Sequence, residues 1–179
     1  MAREQTLDET TIRQFLETDY RRLVAGFSLL ADGQALAEEA VQEALVRAWA
    51  RSQRGEGIDS LTAWVATVAA NILRSGLRRR VVERRARRRL GARAQEAGEP
   101  SEASAVARVD VGRAIRALPP RQRQVVVLRY FADLDTAEIG RALRMREGAV
   151  RAALYRARTA LAVGLAVAEV KEGSDVATG

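Results

Sequence analysis

Residues 136–158 read TAEIGRALRMREGAVRAALYRAR. Ile139, Leu143, Val150 and Leu154 fall where two short crossed helices would bury them, and Gly140 is a small residue where such a pair must approach closely. Asp133-Leu134-Asp135 forms a turn, Asp135 or Thr136 caps a helix over Thr136–Leu143, and Arg144–Arg146 connects it to a last helix from Glu147 to about Ala168. In a helix-turn-helix the second helix lies in the DNA major groove with its N-terminal residues on base edges. Arg151, Arg156 and Arg158 supply guanidinium groups for that task. An arginine–guanine pair discriminates by about 1–3 kcal/mol, whereas a phosphate contact only positions. An amphipathic hairpin with a solvated basic face carries the same pattern, and on these residues alone both readings stand.

Upstream, QVVVLRYF at 124–131 has the β-branched content of a strand, but its helical surroundings predict a helix. Pro119-Pro120 ends a short helix over Val109–Leu118 and opens the next, where a missing N–H costs nothing. AQEAGEPSEASAVA at 94–107 lacks large apolar groups and predicts a flexible linker. Before it, the apolar spacing predicts a helix from Thr6 to about Leu30, a stop at Ala31-Asp32-Gly33, and a second helix over Gln34–Ser52 with Leu36, Val41, Leu45 and Trp49 on its apolar stripe. A third helix starts at Leu61 behind a Ser60 cap and runs into an arginine block. Trp49 and Trp64 are predicted to pack in the core rather than to stack on bases. The chain is thus expected to be all-α, with two small helical domains joined by a flexible linker. Their bounds are 8–93, 94–107 for the linker, and 108–168 for the helix-turn-helix domain, followed by a disordered tail over 169–179.

The chain of 179 residues has no Cys and no His. Cysteine and histidine metal sites, thiol chemistry and histidine-based catalysis are excluded. No apolar run approaches a membrane span, and the polar N-terminus MAREQTLDET is no signal peptide, which predicts a cytoplasmic protein. The net charge of +7 is unevenly spread. Residues 1–73 carry net −4, 74–93 net +9, 94–107 net −3, 108–160 net +7 and 161–179 net −2. Two basic zones behind an acidic front predict two polyanion contacts and a different partner for the front.

Two further constellations carry chemistry. The block 74–93 holds ten Arg and one Glu, so its charges repel one another unless a polyanion is present; the alternative is a solvated, partly frayed helix end. Glu38, Glu39, Gln42 and Glu43, with Arg47 one turn on, form a solvated face or a protein-docking face. A paired-carboxylate catalytic site is the weakest reading, because one helix face offers neither pocket nor partner base. Asn71, on the helix leading into the block, is either a surface amide or a reader of a base edge.

Taken together these stretches resemble the bacterial RNA polymerase sigma-70 family, in its extracytoplasmic-function (ECF) group. AEEAVQEALVRAW at 37–49, AWVATVAAN at 63–71 and LRRR at 77–80 resemble region 2. LPPRQRQVVVLRYF at 118–131, AEI at 137–139 and GAVRAALYRAR at 148–158 resemble region 4. The resemblance covers roughly residues 10–165. It implies a transcription initiation factor with no catalytic residue, cofactor or metal of its own. Glu38, Glu39, Gln42, Glu43 and Arg47 would dock on the clamp helices of the polymerase β′ subunit, and the second domain would meet the β flap. Asn71, Arg74, Arg78 and Arg79 would hold the opened −10 element, since single-strand capture needs a positive groove and pockets for unstacked bases. Glu147, Ala149, Arg151, Ala152, Arg156 and Arg158 would read the −35 element. An anti-sigma factor is a possible partner in this family. Two departures stand out: Arg144 replaces the usual glycine of the turn, and Arg146 the usual Ser or Thr cap. The rival functions are a stand-alone helix-turn-helix regulator and, more remotely, a metal-dependent nucleic-acid enzyme.

Overall fold

The computed structural model describes residues 7–31, 33–89 and 106–176, with side chains over 7–31, 33–76 and 111–166. The described residues form eight helices and no strand. Their contacts separate into two units, Met1–Glu102 and Ala103–Gly179. Asp32 of the first turn, residues 90–93 at the end of the arginine block and residues 94–105 of the stretch read as a linker lie outside the described residues.

In the first unit the expected single helix from Thr6 is two, α1 (Glu9–Thr18) and α2 (Tyr20–Ser28). Asp19 separates them. Its carboxylate accepts from Arg22 at 2.6 Å and from the Thr62 hydroxyl at 2.7 Å. Asp8 caps α1, accepting from the Thr11 amide at 2.7 Å. Gly33, at φ 117°, turns the chain into α3 (Gln34–Gln53). The next helix, α4 (Leu61–Arg89), starts behind Ser60, whose hydroxyl accepts from the Ala63 amide at 3.2 Å. It runs through most of the arginine block.

The buried face of α3 is not the one the large apolar residues mark. Ala37, Ala40, Val41, Ala44 and Ala48 are buried, with Ser52 closing the stripe. Of the expected stripe only Val41 is fully covered; Leu36 and Leu45 are half-buried, and Trp49 is 43% exposed. The core reading of Trp49 is therefore corrected, and Trp64 is only half-buried. The reason is the partner surface. α4 presents Val65, Ala66, Ala69 and Ala70 to the core, and α3 packs against α4. Small residues on both helices let the two axes approach closely, leaving no room for Leu or Trp between them. The Ser52 hydroxyl is satisfied by the Leu7 amide at 2.8 Å.

The second unit contains α5 (Val106–Ala117), α6 (Pro120–Tyr130), α7 (Thr136–Leu143) and α8 (Glu147–Val176). α5 begins two residues inside the stretch read as linker. Pro120 occupies the first turn of α6 as its fixed φ favours. The strand-like run is helical, and the middle of α6 is covered all round: the consecutive residues Val125, Val126, Val127 and Leu128 are all buried. Arg123 reaches the carbonyl of Leu118 at 3.0 Å, and burial, followed by the Arg116 charge, lowers its pKa from the ordinary value. α8 continues to Val176, beyond the Ala168 end read from the sequence, so residues 169–176 are helical rather than a disordered tail. The alanine-rich run from Ala160 contains no proline to stop it.

Candidate protein-docking and nucleic-acid faces

The α3 residues expected to dock a protein lie together on one side of the helix. Glu39, Gln42, Glu43 and Arg47 are exposed and Glu38 is half-buried. Arg47 donates to Glu43 at 2.8 Å, Gln34 to Glu38 at 2.8 Å, and Gln42 to the Tyr20 hydroxyl at 3.2 Å. Beside this face runs an open groove of about 520 Å³ between α3 and α4. Leu36, Val46, Ile72 and Leu73 give it an apolar floor, and Glu39, Gln42, Glu43 and Arg47 give it a polar rim. An apolar centre ringed by charges is the make-up of a protein-binding patch. Val46, 62% exposed, and Tyr20 were not singled out by the sequence reading. Only the helical phase relative to the alanine stripe could have found Val46, and nothing local points to Tyr20.

Asn71 and Arg74 lie one turn apart on α4, and Arg74 donates to the Asn71 amide oxygen at 2.7 Å. Asn71 lines a second depression with Arg47, Val68, Ile72 and Ser75. Arg47 thus borders both the acidic face and the Asn71 side of α4. The side chains of Arg78 and Arg79 lie outside the described residues; their backbone continues α4.

In the second unit α7 and α8 form the crossed pair. Ile139, Leu143, Val150, Ala153, Leu154 and Ala157 are buried. Asp135 and Glu138 close a reciprocal capping box at the start of α7, each bond 2.7 Å. A Cβ on Gly140 would stand 2.8 Å from the Met145 carbonyl oxygen, so only glycine fits this approach without a backbone shift. Met145 in turn donates to the Gly140 carbonyl at 2.8 Å. Arg144 holds the left-handed conformation at φ 55°, ψ 52°, where glycine is favoured. Arg146 offers α8 only its backbone carbonyl, which accepts from Ala149 at 2.9 Å and Val150 at 3.1 Å. Glu147, Ala149, Arg151, Ala152, Arg156 and Arg158 are all exposed, with Tyr155 among them at 73%. Glu147 and Arg151 stand 3.6 Å apart.

Among the described residues no helix is long and apolar enough to cross a membrane. Two family profiles match the chain: Sigma-70 region 2 over residues 16–83 and Sigma-70, region 4 over residues 108–161. The ECF RNA polymerase sigma factor SigF of Caulobacter vibrioides is 32% identical over 127 residues, spanning 70% of this chain and 68% of the relative. The ECF RNA polymerase sigma factor SigL of Mycobacterium tuberculosis is 28% identical over 167 residues, spanning 88% and 90%. The fold is also that of the sigma factor RpoE from Bartonella quintana, solved in complex with the anti-sigma factor NepR. That likeness has a TM-score of 0.69 at 24% identity and covers 89% of this chain and 99% of that one. With a region 2 unit followed by a region 4 unit, the chain belongs to the ECF group of the sigma-70 family, non-catalytic initiation factors that bind core RNA polymerase and direct it to promoters.

Proposed function

We propose that the three faces divide the work of initiation among named residues. Glu38, Glu39, Gln42, Glu43 and Arg47 dock on the β′ clamp helices. Asn71 and Arg74, continued by Arg78 and Arg79, hold the opened −10 element. Glu147, Ala149, Arg151, Ala152, Arg156 and Arg158 face the −35 element. The observation that carries this reading is the exposure of every α8 residue in that set, against the burial of Val150, Ala153, Leu154 and Ala157 on the other side of the same helix. A helix with its apolar side anchored by α7 presents its polar side to a groove without rearrangement. The protein would act in the cytoplasm, where polymerase and promoter meet. An anti-sigma factor of the kind bound to the RpoE relative would silence it by covering one of these faces.

The test is a charge reversal. The double substitution Glu39→Lys, Gln42→Lys alters two exposed side chains and leaves the alanine face untouched. Core polymerase binding is expected to weaken at least tenfold, with helicity by circular dichroism unchanged. Unaltered affinity for core would remove the α3 face from the docking site. For the −35 face, Arg151→Ala is expected to relax base preference at one promoter position, at about 1–3 kcal/mol, in transcription from a randomised promoter library.

A further inference from the structure

One arrangement in the second unit lies partly outside the α8 face. Arg129, Asp135, Thr136, Arg151, Leu154, Tyr155 and Arg158 line a cleft of about 400 Å³ between α6, α7 and α8. Most of its charges have local partners. Arg129 donates to the Leu134 carbonyl at 3.0 Å and stands 3.9 Å from Asp133. Arg151 faces Glu147, and the Asp135 carboxylate is occupied by the cap of α7. Arg158 differs. Its Nε donates to the Tyr130 hydroxyl at 2.8 Å, and its guanidinium carbon lies 5.9 Å from the centre of the Tyr130 ring.

A phenol holds a guanidinium without neutralising it. With Nε committed to Tyr130, the two Nη groups remain as donors to an incoming acceptor. The phenol, having accepted, still carries its own proton, and donation to an arginine-bound oxygen polarises that O–H into a better donor. The pair therefore offers several convergent donors with the full positive charge in place, the chemistry that recognises a phosphodiester. Position selects backbone over base. Arg158 lies roughly 16 Å along α8 from Glu147 at the helical rise per residue, whereas base edges are read by the first turns of a recognition helix. Tyr130 is on α6, off the recognition helix altogether, and is half exposed.

We propose that Tyr130 and Arg158 form a seat for one backbone phosphate of the −35 duplex, in which Tyr130 both positions the guanidinium and donates a hydrogen bond of its own. The proposal rests on the reading of α8 as the −35 face and adds a contact from α6. The experiment uses the full chain with core polymerase on a promoter duplex selected by that complex from a random library. Neutral methylphosphonate linkages replace the phosphates of the −35 element one at a time. The wild-type complex is expected to lose about tenfold in affinity at one particular linkage, the scale of a charge-assisted hydrogen bond. Tyr130→Phe keeps the ring and the Arg158 charge; it is expected to weaken binding to the unmodified duplex several-fold and to shrink the loss at that linkage to within twofold, with losses elsewhere unchanged. Arg158→Ala is expected to do the same at the same linkage. A Tyr130→Phe complex as sensitive as wild type at every linkage, or a wild type sensitive at none, overturns the seat. A complex that selects no −35 sequence overturns the underlying reading of α8, a separate result.

Discussion

The contact between α3 and α4 and the contact between α7 and α8 solve one problem with opposite means. In the first unit, alanine packs toward alanine, and the bulky groups Val46 and Trp49 stay at the surface. In the second, Val125–Leu128, Ile139, Leu143, Val150 and Leu154 fill the interior, and Gly140 of α7 lets the Met145 carbonyl of the following turn approach closely. The functional consequence differs accordingly. The alanine seam leaves Leu36 and Val46 to line a groove beside the acidic face, where a protein partner can cover them. The aliphatic core of the second unit leaves α8 with a small-residue and arginine face, suited to a groove of DNA. A protein-docking face and a DNA-docking face thus arise from where each unit keeps its bulk.

The contrast can be broken by exchanging the two packing styles. Both tryptophans, Trp49 and Trp64, belong to the first unit, so tryptophan fluorescence follows that unit while far-ultraviolet circular dichroism follows both. Leu128→Ala empties a fully buried site on α6 and is expected to destabilise the second unit by about 2–5 kcal/mol. Urea unfolding should show the dichroism transition split, its early phase silent in fluorescence. A coincident shift of both probes would mean that the units do not unfold separately. The reverse exchange, Ala44→Leu, overpacks the α3–α4 seam and is expected to cost about 1–3 kcal/mol, now visible in fluorescence. Tolerance of leucine at Ala44 would show that the seam is looser than its burial implies.

The same contrast explains what the sequence disclosed. The second unit was legible because its signals are local and stereochemical: Pro119-Pro120, the Asp135 cap, and Ile139, Leu143, Val150 and Leu154 at helical spacing all point one way. The α6 run is helical, as its surroundings predicted, because burial of four consecutive residues overrides the β-branched preference of three consecutive valines. In the first unit, hydrophobicity names the wrong face of α3. Alanine carries little weight in any apolar pattern, yet small size is what a close helix pair selects, and Leu36 and Trp49 draw the eye away from it. The exposed residues Glu39, Gln42 and Glu43 were found regardless, because charge marks the surface whichever apolar stripe is buried. Tyr130 could not be found: its partner, Arg158, lies 28 residues away, and only the fold brings the two together.

The turn joining α7 to α8 sharpens the comparison further. Gly140→Ala gains helix propensity of about 1 kcal/mol but drives a Cβ against the backbone carbonyl of Met145, whose amide is bonded to the Gly140 carbonyl, for a net loss of about 1–2 kcal/mol. Glycine at position 164 in the same unit, where the nearest atom to an added Cβ is 4.0 Å away, provides the control: Gly164→Ala should stabilise.

The smallest effect runs the other way. Arg144 is exposed and left-handed, a conformation that brings its Cβ close to the following carbonyl at a cost of about 1–2 kcal/mol, which glycine does not incur. Glycine gives back part of that gain through the greater freedom of its unfolded chain, leaving about 0.5–1 kcal/mol. Arg144→Gly is therefore expected to raise the urea midpoint of the dichroism phase that is silent in fluorescence, with the fluorescence transition unmoved. Because the side chain is at the surface, Arg144→Ala removes the same charge and aliphatic stem while keeping a Cβ in the left-handed region, and should gain nothing. Equal stabilisation by both substitutions would place the penalty in the crowding of arginines around the turn rather than in its backbone, and Gly140 alone would then mark the backbone constraint at this turn.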